Sequence, residues 1–159
     1  MNKIVLLLML VSALTITLPA VAAQKPADSD MQILLQKVKA DKKLLVAANM
    51  KLSDAEAKEF WPVYDAYQVE LGKLNKRVIR LIKAYAADYN NNSMTDEKSK
   101  KMVTEMISID EAEVAMKKAF VPKLYKVIPA IKVARYLQIE NKIRAAVRYE
   151  IAAAVPLVK

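Results

Sequence analysis

Residues 53–90 read SDAEAKEFWPVYDAYQVELGKLNKRVIRLIKAYAADYN. Within them Phe60, Tyr64, Tyr67, Leu71, Leu74, Val78, Leu81 and Tyr85 follow at spacings of 4, 3, 4, 3, 4, 3 and 4. An α-helix turns once in 3.6 residues, so this alternation keeps all eight side chains on one seam facing a partner helix. Ser53 opens the stretch as a capping box. Its hydroxyl can accept from the third helical N–H while Glu56 reaches back to the Ser53 N–H. The reading predicts a helix over residues 54 to about 89, roughly 50 Å long. Pro62 lacks an N–H and crowds the carbonyl one turn back, which predicts a kink or break near residues 59–61. Trp61 beside it reads as an anchor at the hairpin end. Gly72 is the only glycine; it costs a helix about 1 kcal/mol against Ala, and its presence predicts a helix crossing there.

Asn90, Asn91, Asn92 and Ser93 end this helix, since Asn tolerates the left-handed conformation of helix ends. Thr95 caps the next one, with Asp96 and Glu97 in its first turn, where the helix dipole favours acids. Met102, Met106, Ile109, Glu113, Met116 and Phe120 then repeat the spacing 4, 3, 4, 3, 4, with Glu113 the one polar member. Two seams joined by a short turn predict an antiparallel hairpin. Pro122 and Pro129 interrupt the pattern, and Pro129 fits the first position of a final helix. There Val133, Tyr136, Ile143, Val147 and Ile151 form an apolar stripe, with Arg135 and Lys142 on one side and Arg144 and Arg148 on the other. Pro156 closes the chain. Upstream, residues 28–50 read as a first helix with Ile33, Leu34, Val38, Leu44 and Leu45 inward. Strand patterning has almost no support. The expected fold class is all-α: a long antiparallel helical hairpin with flanking N- and C-terminal helices, about four helices.

The first 23 residues read as a secretory signal peptide. Lys3 gives a positive start, residues 4–18 are an apolar run, and Ala20, Val21, Ala22 and Ala23 supply small residues for cleavage. The run has 15 residues, short of the roughly 20 that span a bilayer. The alternative, an N-terminal membrane anchor, lacks stop-transfer charges. Residues 24–159 then form a single all-helical domain, exported to the periplasm.

Composition removes several chemistries. With no Cys and no His, the chain has no disulfide, no thiolate nucleophile, no His-based triad, and no imidazole or thiolate ligand for zinc, copper or haem. One glycine excludes Gly-rich phosphate loops. The expectation is a protein that is not an enzyme and uses no cofactor and no metal. Glu113 and Glu140, on otherwise apolar stripes, are the exceptions: burial there would raise their pKa and suggest proton chemistry, although Arg144 one turn after Glu140 favours an ordinary ion pair.

Charge is concentrated at one end. The chain holds 26 Lys and Arg against 17 Asp and Glu. Residues 24–116 balance at 15 each, whereas residues 117–159 carry 10 basic and two acidic residues. Such a field attracts acidic polypeptides, lipid head groups or nucleic acid, and export makes nucleic acid an unexpected physiological partner. Met102, Met106 and Met116 admit three readings: soft-metal thioethers, core filling, or an adaptable surface for varied apolar partners.

The two helix starts, Leu52-Ser53-Asp54-Ala55-Glu56 and Met94-Thr95-Asp96-Glu97-Lys98, resemble the L-T-x-x-Q motif. Bacterial periplasmic proteins of the Spy and CpxP family carry it twice, each time at a helix start. Residues 128–141, IPAIKVARYLQIEN, are similar to the last helix of family members. Ser53 stands where the motif has Thr, Glu56 and Lys98 where it has Gln, and Met94 where it has Leu. The resemblance implies a curved all-helical protein, often dimeric, that holds unfolded polypeptides without ATP on a concave basic face with apolar patches. The family's metal-sensing branch uses His or similar ligands, which this sequence lacks. The expected function is a periplasmic ATP-independent holding chaperone or envelope-stress protein. Its candidate client-binding residues are Lys132, Arg135, Lys142, Arg144, Arg148, Met102, Met106 and Met116. Two alternatives remain: an adaptor for the sensor domain of a membrane kinase, and a protein whose basic helix meets an anionic membrane surface.

Overall fold

The computed structural model describes residues 41–158; the signal-peptide reading and Ile33, Leu34 and Val38 lie outside them. Four helices and no strand occur among the described residues: α1 over residues 41–50, α2 Asp54–Asn90, α3 Asp96–Tyr125 and α4 Ala130–Ala154. Ser53 and Glu56 form the full capping box at the start of α2, and the 37-residue helix extends about 55 Å. Asn92 takes the left-handed conformation, φ 48°, in the turn between α2 and α3. The Thr95 hydroxyl accepts from Lys98 N at 3.3 Å to start α3.

α2 and α3 pack antiparallel. Arg77 grips Glu105 through two bonds of 2.9 Å, Lys98 pairs with Asp88 beside the turn, and Tyr67 meets Phe120 edge-on at 5.4 Å. α4 returns parallel to α2, so that Tyr136 reaches Phe60, Tyr64 and Tyr67 at ring separations of 5.2–6.0 Å. α1 completes the bundle through Val46 and Met50, both fully buried. The core is therefore an edge-to-face aromatic cluster ringed by Leu71, Leu74, Met116, Leu124, Ile128 and Val133. Such ring pairs add about 0.5–1.5 kcal/mol each beyond the area they bury.

Several expectations are corrected. α2 runs unbroken through Pro62 and α3 through Pro122. Both prolines lie on the exposed face, as do Lys58 and Lys118 one turn back, where water can serve a carbonyl left without its N–H. Pro129 is the N-cap of α4, not its first helical residue. Leu44 points to solvent and Leu45 is half-buried, while Val46 and Met50 take the inward positions. A Cβ on Gly72 would meet nothing within 4 Å, so no helix crosses there. Met106 and Val147 are exposed: the α3 seam turns to Glu105 at Arg77, and the α4 stripe leaves the core after Glu140.

Candidate functional site

The cations of the last 43 residues divide into two groups by what they touch. Glu113 on α3 is 3% exposed and collects three of them. Lys117 Nζ donates to it at 2.8 Å, Arg144 Nε at 2.8 Å, and Arg148 Nη2 at 3.1 Å. Arg144 also donates to Asn75 on α2, and Arg148 to Asp110 on α3. Lys132 pairs with Glu56 and donates to the Lys51 carbonyl at 3.1 Å. Lys51 has φ 49°, a left-handed backbone that costs a non-glycine residue about 1–2 kcal/mol. Lys132 thus braces the strained turn between α1 and α2. These contacts hold helices together, so Lys132, Arg144 and Arg148, candidates in the sequence reading, each have partners inside the fold. Met116, also a candidate, is buried in the core.

Glu140 on α4 is the second buried carboxylate. Lys42 of α1 donates to one of its oxygens at 2.7 Å and Gln68 of α2 to the other at 2.8 Å. Lys42 also donates to Gln68 Oε1 at 2.8 Å, and Gln68 Nε2 to the Tyr136 hydroxyl at 3.3 Å. The partner expected for Glu140, Arg144, is taken by Glu113 instead, because Lys42 reaches Glu140 from another helix.

Proton chemistry at these carboxylates is also corrected for Glu113. Burial alone would raise its pKa, but Lys117 and Arg144 outweigh that and hold it below the ordinary carboxylate range. Burial first, and then the Glu140 charge, pushes the Tyr136 phenol up, so its hydroxyl stays protonated.

Arg135 and Lys142 are different. Among the described residues neither forms an ion pair, and both are exposed. They fall on one solvent-facing row of α4: Ile131, Arg135, Gln138, Lys142, Ala145 and Tyr149, at spacings of 4, 3, 4, 3 and 4. Ile131 and Tyr149 at its ends are 80% and 71% exposed. No acid stands in the row, and the helix's two acids are elsewhere: Glu140 buried, Glu150 on the neighbouring row. The row is thus a strip about 27 Å long with apolar ends and two unneutralised charges roughly 10 Å apart.

The structure therefore brings together Arg135 and Lys142 but not the methionines. Arg144 and Arg148 align α4 antiparallel to α3 against Glu113 and Asp110, which places Met102 and Met106 beyond those contacts, toward the C-terminal end of α4. Met102 is half-buried and Met106 exposed. Ile131, Gln138 and Tyr149 were missed by the sequence reading. Their signal was the same 4-3 spacing in the opposite phase to the core stripe.

Compared with protein-family models, curated proteins and solved structures, the chain matches none. Among the described residues no group of His, Cys, Asp and Glu is placed to hold a metal ion, and no helix is long and apolar enough to cross a membrane.

Proposed function

We propose that this chain is a periplasmic, ATP-independent holding chaperone of the Spy and CpxP kind, which captures unfolded, acidic polypeptides on the outer row of α4. The observation that carries the reading is the acid-free row of Ile131, Arg135, Gln138, Lys142, Ala145 and Tyr149. Its cations are not spent on intramolecular pairs, although those of Lys132, Arg144 and Arg148 are. Unneutralised charges speed encounter with an acidic chain, and the apolar ends hold it by loose burial that permits release. The two helix starts, each capped by a hydroxyl before an acidic turn, agree with the motif that the family repeats.

The test uses the protein without residues 1–23 and follows light scattering by a chemically unfolded client at low and high salt. The expected result is suppression of aggregation without ATP, weakening as salt rises. No suppression at stoichiometric excess removes the chaperone reading. Saturable binding to one partner alone would make the row the docking surface of an adaptor.

A further inference from the structure

α4 is held in two different ways along its length. Its buried residues, Val133, Tyr136 and Glu140, all lie in the first half. Beyond Glu140 none is buried: Ile143 and Ile151 are half-buried and Val147 is 49% exposed. That distal half is tied down by polar contacts. Arg144 spans Glu113 and Asn75, Arg148 spans Glu113 and Asp110, and the Tyr85 hydroxyl donates to the Pro156 carbonyl at 2.8 Å. Both arginines converge on the single carboxylate of Glu113.

The groups facing Glu113 are Lys117 and Asp110 from α3, Arg144 and Arg148 from α4, and Asn75 and Tyr67 from α2. Were Glu113 neutral, three cations would face one remaining acid, Asp110, which is itself 58% exposed. The desolvated arginine would lose its compensating charge and the three cations would repel one another. From α4 itself, this half offers only the half-buried Ile143 and Ile151 and the exposed Val147 to apolar contact. In the first half, by contrast, the Tyr136 cluster keeps α4 docked.

We infer that residues 141–154 act as an ion-pair latch, released from the hairpin when Glu113 loses its charge, while residues 130–140 stay docked. Release would free the face of α2 and α3 beside Asn75 and Asp110, the level at which Leu71, Leu74 and Ile109 are buried in the closed state. It thus adds an acid-dependent apolar surface next to the outer row of α4. The use of that surface for clients rests on the proposed function; the latch itself does not, and it is read without any client.

The test is amide hydrogen exchange on full-length Glu113→Gln at neutral pH, with an apolar fluorescent dye and Trp61 emission as second and third readouts. Trp61, the only tryptophan, sits in the proximal cluster, 5.1 Å from Phe60 and 5.2 Å from Tyr64, and so reports the half that stays docked. Exchange in residues 141–154 should accelerate roughly tenfold or more, dye binding should rise, and residues 130–140 and Trp61 emission should keep wild-type behaviour. Wild-type protection across residues 141–154 in the variant overturns the inference, as does a loss spread evenly over all helices. If Glu140→Gln frees residues 141–154 equally while leaving Trp61 unchanged, Glu113 is not the latch. A failed scattering assay with an intact exchange pattern would remove the chaperone reading and leave the latch standing.

Discussion

Replacing Lys42 with Met removes the one cation among the described residues that pairs with Glu140, a carboxylate 5% exposed. Gln68 Nε2 would remain as its neutral donor. Breaking a buried pair from one side costs about 3–5 kcal/mol. The Lys42 side chain is 16% exposed, so some solvation of the pair survives in the folded state and the lower end, about 3 kcal/mol, is expected. For a chain of this size that corresponds to a fall of roughly 10 °C in Tm. Lys42→Met combined with Glu140→Leu removes both charges and should recover most of the loss. About 1–2 kcal/mol should persist, since Gln68 loses its Lys42 donor and Glu140 acceptor and keeps only the Tyr136 hydroxyl. Thermal and urea unfolding at neutral pH, followed by Trp61 emission and far-ultraviolet circular dichroism, measure all three proteins. A single variant within 0.5 kcal/mol of wild type, or a double variant as unstable as the single, would refute the reasoning.

Gly72→Ala should stabilise the chain by up to about 1 kcal/mol, because the new Cβ meets nothing within 4 Å; a loss of stability in urea unfolding would expose a close approach at that position. The Glu113 carboxyl has its folded pKa depressed below the ordinary 4.5, so its contribution is complete above the unfolded value and is lost as pH falls through the folded one. The stability gap between wild type and Glu113→Gln should therefore shrink between neutral pH and acid. A constant gap in urea titrations across that range would contradict the sign.

The hairpin was legible because its information is local. Eight seam positions in α2, a capping box at Ser53 and a hydroxyl cap at Thr95 each specify helix start or face from residues a few positions apart. Even there, Pro62 does not break α2: it lies off the seam on the exposed face, where water can serve a carbonyl left without its donor. The site was half legible. Arg135 and Arg144 flank the apolar stripe of α4 in equivalent ways on a helical wheel. What separates them is Glu113, 31 residues from Arg144 in the chain and brought beside it only by the return of α4. Glu140 likewise finds Lys42 across 98 residues, where the local rule pointed to Arg144. Met116 and Met106 share one seam in sequence, yet Met116 enters the core and Met106 faces solvent, because at that turn of α3 Glu105 is the residue that meets Arg77 of α2.

Capture by the outer row of α4 depends on its two unpaired charges, and Arg135→Glu with Lys142→Glu tests them most directly. Both residues are exposed and unpaired among the described residues, so the double variant should keep wild-type stability within about 0.5 kcal/mol. In the light-scattering assay at low salt it should lose most of the suppression of an acidic unfolded client and most of the salt dependence. Unchanged suppression by a folded double variant would contradict the assignment of the outer row of α4 as the capturing surface.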